Sequence, residues 1–260
     1  MPVFEPDKGR ASRDFDYDRV APVYDRHRRG RGPYFSGLCR LAEAAPGDQF
    51  LELGAGTGNN TQAVEAAFPD AALIALDASM GMLQEARAKL MRPRCVHGDA
   101  CSLPFAAKSF HLIYSTYVIH HIRDIAALFR EGHRVLEPRG IMATVTVPES
   151  FIDAHPMNRY FPSFARIDRA RFQTVGVVED AMRAAGFDAV THEVVADSPR
   201  PINAVYVRRV AQRFISTYDL LPLEEFRVGV ARLEADVARL GALPEPLVRQ
   251  AVIIHGRKAT

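Results

Sequence analysis

The sequence predicts an α/β fold, a mostly parallel sheet with helices on both faces, and three observations lead there. Short apolar runs alternate with helical patterns from Phe50 to Val147. The first run breaks into alternating glycines and then a helix, in Leu51-Glu-Leu-Gly-Ala-Gly-Thr-Gly-Asn59. Polar residues (Asp77, Asp99, Thr116) stand at the ends of the next three runs. Strands that alternate with helices need crossover connections, which make a parallel sheet covered on both sides. In such sheets ligands bind beyond the carboxyl ends of the strands, where these residues fall.

The elements follow in order. Residues 1 to about 14 are polar, and Tyr17-Asp-Arg-Val-Ala-Pro-Val-Tyr-Asp25 precedes the first core helix. The Gly30-Arg-Gly-Pro33 turn leads into a helix over about Tyr34 to Ala44, with Leu38, Leu41 and Ala42 at helical spacing, until Pro46-Gly47 stops it. The strand at Phe50 to Leu53 is followed by a helix from Asn59 to Phe68 and a Pro69-Asp70 turn. A second strand spans Ala71 to Leu76, a third Arg94 to Gly98, and a fourth Phe110 to Ser115, which runs into Thr116-Tyr-Val-Ile-His-His-Ile122. A helix then leads to Leu136-Glu-Pro-Arg-Gly140 and a fifth strand, Ile141 to Val147, closed by Pro148. Residues 149–175 read as irregular and aromatic. A helix from Val177 to Ala185 ends at Gly186, a residue suited to the left-handed cap, and strands follow at Ala189 to Val195 and Gln250 to Gly256. Between those strands, amphipathic patterns mark helices at Ile202 to Tyr218 and Leu223 to Leu240. The expected organisation is an N-terminal cap segment with the first helix over 1–45 and a core over 46–260. Insertions interrupt the core at about 149–175 and 196–248.

Composition narrows the function. In 260 residues, 48% hydrophobic and 25% charged content is that of an ordinary globular protein. A net charge of +2 gives no broad surface for nucleic acid or membrane. Met1-Pro-Val-Phe-Glu-Pro-Asp7 is no secretory signal, and no apolar run reaches the ~18 residues of a spanning helix. Cys39, Cys95 and Cys101 are scattered, which fits neither a disulfide framework nor a metal cluster. The natural reading is cytoplasmic. The basic run Arg26 to Arg31 reads as a solvated turn, with an anionic substrate or an RNA backbone as the other reading.

The glycine spacing chooses a ligand. A dinucleotide fingerprint needs G-x-G-x-x-G, and here Asn59 occupies the third glycine position. No Lys-Ser/Thr pair follows, so the phosphate-cradling loop is absent too. G-x-G-x-G after Glu52, with the ordered blocks at Asp77, Asp99, Thr116 to Ile122 and Leu136 to Gly140, resembles class I S-adenosylmethionine (SAM) dependent methyltransferases. The resemblance implies a Rossmann-like seven-stranded, mostly parallel sheet with an antiparallel last strand and helical lid insertions. It implies SAM as cofactor, S-adenosylhomocysteine as product, and no metal. The loop residues Gly54, Ala55, Gly56 and Asn59 would then pass under the methionine portion, with Glu52 orienting the α-ammonium through water. Asp77 would accept from both ribose hydroxyls, Asp99 from the adenine amino group, and the Ala100 amide would meet a ring nitrogen. Ala78, Met82, Thr116, Tyr17 and Tyr24 complete the implied cofactor set. A ligand with cationic centres and donor groups suits acidic acceptors, whereas phosphate would want the opposite sign.

Methyl transfer from a sulfonium is an in-line displacement that asks mainly for alignment and exclusion of water. A base helps when the nucleophile is a hydroxyl or an ammonium. His120 and His121 are the candidates, and adjacent residues on a helix point about 100° apart, so one of them, His120 by preference, should face the pocket. His155, Tyr160 and Tyr206 are the candidate substrate contacts. Two positions depart from the family pattern: His111 stands where Asp is usual, and Arg139 replaces the first glycine of a Pro-Gly-Gly turn. Ser115-Thr-Tyr-Val-Ile119 lacks the Asn/Asp-Pro-Pro-aromatic box of DNA and glutamine methyltransferases, and the acidic clusters suited to holding Mg²⁺ for catechol chemistry are missing at the equivalent positions. The expected acceptor is therefore a small organic molecule methylated on O or N, under a lid rich in aromatics and arginines. A carbon methyltransferase of quinone or lipid-like acceptors, and a SAM-fold protein that transfers no methyl group, are the alternatives.

Overall fold

The apolar runs become the strands of one sheet. The computed structural model describes residues 16–25, 32–92 and 94–260; the basic run at 26–31 and the polar residues 1–14 lie outside the described residues. The strands are β1 (Gln49–Leu53), β2 (Ala72–Asp77), β3 (Arg94–His97), β4 (Phe110–Thr116), β5 (Leu136–Thr146), β6 (Phe187–Ala196) and β7 (Gln250–Lys258). They form a seven-stranded sheet in the order β3-β2-β1-β4-β5-β7-β6. β1 pairs in parallel with β2 and β4, and the β2/β3 and β4/β5 pairs are parallel as well. β7 runs antiparallel to both neighbours, as the resemblance implied.

Helices α1 (Tyr17–Tyr24), α2 (Phe35–Ala42), α3 (Asn59–Ala67), α4 (Met80–Lys89) and α5 (Ile125–Val135) precede or link these strands, and α8 (Val175–Ala184) leads into β6. The period-2 alternation of strand side chains sends neighbours to opposite faces. Leu51, Leu53 and Ile113 pack with Leu128 and Phe129 of α5 and Val178 and Met182 of α8. Phe50, Leu112 and Tyr114 turn the other way, onto Leu38 and Ala42 of α2 and Val64 of α3. Both faces are covered, which is why the parallel strands read as near-continuous apolar runs. Caps stop the helices where the sequence offers them: the Asp124 side chain accepts from Ala127 N at 2.8 Å before α5, and Gly186, at φ +94°, follows α8. Arg139 takes φ +68° in the turn within β5, the left-handed conformation that a glycine there would adopt freely.

The chain divides into two units. The larger holds the sheet, in residues 17–149, 172–197 and 250–260. The smaller contains 150–171 and 198–249. Most of α6 (Glu149–Ala154) belongs to it, with α7 (Phe164–Arg171), α9 (Ala204–Ala211), α10 (Ser216–Asp219) and α11 (Leu223–Leu240). Its core gathers Met157, Tyr160, Phe161, Phe164, Tyr218, Leu233 and Val237. α11 comes close to this core at Gly229, where an added Cβ would lie 2.3 Å from the Phe161 ring. No helix among the described residues is long and apolar enough to cross a membrane.

Two expectations are corrected here. Residues 149–175 are not irregular: they hold α6, a 3₁₀ turn at Pro156–Arg159 and α7. α7 escaped the periodicity because it buries Asp168 and Arg171 beside Phe164, leaving no apolar stripe to read. The pattern at Ile202 to Tyr218 is two helices, α9 and α10, separated by Arg213 at φ +50°.

Candidate functional site

The strand order reverses at β1, with β2 on one side and β4 on the other, and the loops that leave this point build the site. Gly54, Gly56 and Gly58 all have positive φ, at +67°, +55° and +79°. Gly54 is required by packing, since its Cβ would fall 2.3 Å from Val118, just beyond β4. At Gly56 a Cβ would meet nothing within 4 Å, so the loop here borders open space. Asp77, the last residue of β2, ties the loop down: Gly56 N donates to Oδ2 at 2.7 Å and Ser79 N to Oδ1 at 2.8 Å. Burial raises the Asp77 carboxyl above the usual range, against the lowering effect of these amides.

Glu52 lies wholly inside the larger unit. Its Oε2 accepts from Thr61 Oγ1 at 2.6 Å and from the Tyr114 hydroxyl at 3.0 Å, which joins β1 to α3 and β4. Oε1 is buried without a hydrogen-bond partner. Burial pushes this carboxyl up to about 8; the two hydroxyl donors oppose the shift, and the nearby Asp77 charge adds to it.

Helix α1 is fastened to this region by two carboxylates. Asp18 Oδ1 accepts from Ser79 Oγ at 2.6 Å and from Gly81 N at 2.7 Å, at the start of α4, where an anion is favoured. Those donors hold the Asp18 carboxyl below its usual value. Asp25, just past α1, accepts from Thr57 Oγ1 at 2.6 Å, Asn59 Nδ2 at 2.8 Å and Lys89 Nζ.

The segment after β4 is the strained part. Tyr117 sits at φ +57°, a conformation that costs a non-glycine residue of order 1 kcal/mol or more and that clusters at functional sites. The next turn, Ile119–His121, is a 3₁₀ helix. It brings the His120 and His121 rings to 4.0 Å between centroids. The His121 Nε2 is 2.7 Å from the Tyr17 hydroxyl, while the buried His120 ring stacks on Phe172 at 4.1 Å. Thr116 Oγ1 accepts from Asn60 Nδ2 at 2.6 Å, and Asn60 Oδ1 accepts from the Tyr34 hydroxyl at 2.7 Å.

Comparison with known proteins places this geometry. A family model described as a methyltransferase domain matches residues 51–144, from β1 into β5. The malonyl-[acyl-carrier protein] O-methyltransferase of Dechloromonas aromatica is 33% identical over 71% of this chain and 68% of its own length. The demethylmenaquinone methyltransferase of Roseiflexus sp. is 30% identical over 73% of this chain and 91% of its own. The chain belongs to the SAM-dependent methyltransferase family. The Haemonchus contortus phosphoethanolamine N-methyltransferase 2 in complex with SAM shares its fold, with a TM-score of 0.61 and 18% identity over 98% of this chain and 62% of that one.

Set against a methyltransferase site, the predicted residues fall into groups. Glu52, Gly54, Ala55, Gly56, Asp77 and Thr116 gather at the carboxyl ends of β1, β2 and β4. Asp99 and Ala100 follow β3, where the exposed Asp99 carboxylate accepts from Cys101 N at 2.8 Å. Ala78 is exposed, and its carbonyl accepts from His97 Nε2 at 3.0 Å. Asn59 turns its amide to Asp25 and Lys89, and Met82 is buried. Tyr17 and Tyr24 lie edge to face at 6.2 Å on α1.

The three substrate candidates belong to the smaller unit, where each takes part in its packing. Tyr160 and Tyr206 are part of its hydrophobic core, with the Tyr160 hydroxyl donating to Asp236 Oδ2 at 2.9 Å. His155 is buried between Phe151 and Phe164, its Nδ1 accepting from Met157 N at 3.2 Å. A 3₁₀ turn rather than an α-helix carries His120 and His121, and His121 is the ring bonded to Tyr17. Sequence reasoning missed Asp18, Asp25 and Asn60. Asp18 and Asp25 bracket the Tyr17 to Tyr24 segment singled out on other grounds, and nothing local marked Asn60.

Proposed function

We propose that this methyltransferase transfers the SAM methyl group to an oxygen or nitrogen of a small organic molecule, with His121 as the base and Tyr17 as its positioning partner. The observation that carries this reading is the 2.7 Å contact between the Tyr17 hydroxyl and His121 Nε2 beside the strained turn after β4. The residues present fit the cofactor. Open space at Gly56 accommodates a close approach, and the buried, unpartnered Oε1 of Glu52 suits a cationic group reached through water. The Asp77 carboxylate keeps lone pairs for ribose hydroxyls beyond its two backbone amides. Bound there, SAM supplies an electrophilic methyl on a sulfonium.

The chain's own groups do the rest. Neutral His121 receives the proton that an acceptor O–H or N–H gives up, and its hydrogen bond to Tyr17 keeps the ring from rotating. Asp18 and Asp25 keep α1, and with it Tyr17, against the start of α4 and the glycine loop. The smaller unit is the part of the chain we assign to acceptor choice, since segments added to a rigid scaffold are where selectivity usually resides. The names of the malonyl-[acyl-carrier protein] relatives support an oxygen acceptor, free or attached to a carrier protein. The Roseiflexus relative supports a second reading, methylation of a quinone.

Incubation of the protein with methyl-¹³C SAM and a metabolite extract tests both readings. A new carbon resonance in the methoxy or N-methyl region supports the first, and a C-methyl resonance supports the second. No labelled product, with S-adenosylhomocysteine absent, would reject methyl transfer altogether.

A further inference from the structure

The amino-terminal end of the sheet carries a cluster that methyl transfer does not use. His111 is the second residue of β4, Glu137 the second of β5, and Asp48 immediately precedes β1. One ligand atom from each of the three lies within 4.8 Å of the other two. The two positions that depart from the family pattern meet here. Pairing passes from Phe110↔Leu136 straight to Leu112↔Ile141, so Glu137 to Gly140, Arg139 among them, bulge out opposite His111. The end of α2 and the turn after it close the cluster. The Ala42 carbonyl oxygen lies 2.9 Å from His111 Nε2, and Asp48 Oδ2 lies 3.8 Å from it.

These distances sort the groups. His111 Nδ1 is 2.9 Å from Glu137 Oε1, so the carboxylate takes the Nδ1 proton, the arrangement that commonly orients a metal-binding imidazole from behind. Nε2 then faces a carbonyl and a carboxylate. A bare nitrogen lone pair aimed at two oxygens is repelled, and a cation between them removes the repulsion. A proton on Nε2 serves the carbonyl alone, because Asp48 Oδ2 is beyond hydrogen-bond range. A metal ion serves all three atoms. Tetrahedral zinc, with bonds of about 2.0–2.1 Å, spaces its ligands by about 3.3 Å, a value that lies between the two separations seen here. The turns are held in place: Ala45 N donates to Asp48 Oδ2 at 2.6 Å, and Arg257 donates to Arg139 O at 3.1 Å and to Glu43 Oε2 at 3.0 Å. The His111 and Asp48 side chains are 20% and 21% exposed, which leaves a way in for an ion and a water ligand.

We propose that His111 Nε2, the Asp48 carboxylate and the Ala42 carbonyl bind a first-row divalent cation of the zinc class, with Glu137 holding the imidazole and water completing the coordination. One nitrogen beside oxygens suits zinc, cobalt or nickel, whereas magnesium takes oxygen ligands in a near-ideal octahedron. The ion ties the turn after α2 to β4 at the end of the sheet opposite the glycine loop. Its effect falls on the stability of the larger unit and leaves the methyl-transfer step alone.

Calorimetry on the full chain, stripped beforehand with a chelator, reads Zn²⁺ binding with Mg²⁺ as control, and the melting temperature is measured on the same samples. Zn²⁺ should bind as a single ion per chain and raise the melting temperature, and Mg²⁺ should do neither. His111→Gln, whose amide can still donate to the Ala42 carbonyl, and Asp48→Asn should each weaken Zn²⁺ at least tenfold and remove the thermal shift. Glu137→Gln should weaken it by about tenfold, the lower range for a group behind a metal-bound histidine. S-adenosylhomocysteine affinity should be the same in all of them, and circular dichroism checks that each variant is folded. Co²⁺ gives an independent reading, a visible spectrum without a thiolate charge-transfer band, since the cluster contains no cysteine. Absence of Zn²⁺ binding, a thiolate band, equal affinity for Mg²⁺, or binding indifferent to both His111→Gln and Asp48→Asn would overturn the site.

Discussion

The Tyr17 hydroxyl and Nε2 of His121 stand 2.7 Å apart, joining α1 to the turn after β4. If His121 is the base, it must be neutral in the reactive complex, so turnover should fall toward acid pH as the imidazole takes a proton. His121→Ala should cut kcat by about 10²-fold, the lower range for removing a general base, with SAM affinity nearly constant. Tyr17→Phe should lose less and shift the midpoint of the acid limb, since the imidazole loses that hydrogen bond. His120→Ala should act mainly on stability, because its ring packs on Phe172. A kcat–pH profile for the three variants decides this, and equal small effects would show that alignment alone drives the reaction.

Asp77→Ala removes the acceptor of two backbone amides as well as the ribose contact assigned to it. S-adenosylhomocysteine affinity should drop by about 1–3 kcal/mol, the scale of hydrogen bonds to a charged group. Gly56→Val should be worse, since its side chain would enter the space beside the loop from a left-handed backbone. Calorimetric titration of both variants checks this.

Asp25 gathers donors from Thr57, Asn59 and Lys89, and so fixes the glycine loop to the residues after α1. Asp25→Asn keeps the shape and loses the charge. The expected outcome is faster dissociation of S-adenosylhomocysteine in stopped-flow measurements, with kcat affected less than KM for SAM.

Glu52 makes stability depend on pH with a definite sign. Its folded carboxyl titrates near 8, above the ordinary 4.5, so between these values the fold holds a proton that the unfolded chain has released. That contribution is full below about pH 4.5 and is lost as pH rises toward 8. Glu52→Gln, whose amide oxygen can still accept from Thr61 and Tyr114, should gain on the unaltered protein in melting temperature from pH 5 to 9. A constant difference would contradict the burial of an ionisable carboxyl there.

His155 acts in the opposite direction. Burial lowers its pKa from 6.5 to about 4, so below 6.5 the unfolded chain binds a proton that the folded smaller unit refuses. Stability is lost as pH falls from 6.5 to 4. His155→Gln should show a shallower fall in melting temperature over that range, read by circular dichroism.

The legible part of this protein was the part where one residue type has one physical use. Glycines at positive φ, acids at strand tips and two-sided apolar runs announced the loop, the tips and the sheet, and Leu223 to Leu240 announced α11 in full. Where charge is buried the pattern failed: α7 hides Asp168 and Arg171 among its packing residues and read as loop. The choice between the two histidines depended on whether the turn was α or 3₁₀, a difference of about 20° per residue that no single side chain encodes. Asp25 was invisible because its partners lie 32, 34 and 64 residues away.

β7 lies between β5 and β6, although it is the last of the seven strands to be synthesised. β6 has therefore no neighbour in the sheet until β7 arrives, and the chain emerging from a ribosome must carry an open strand through the whole of residues 197–249. During that interval the unpaired edges of β5 and β6 are the surfaces most exposed to mispairing. Deleting residues 250–258 would freeze the chain in this state, leaving a five-stranded parallel remnant whose helices lack part of the floor they pack on.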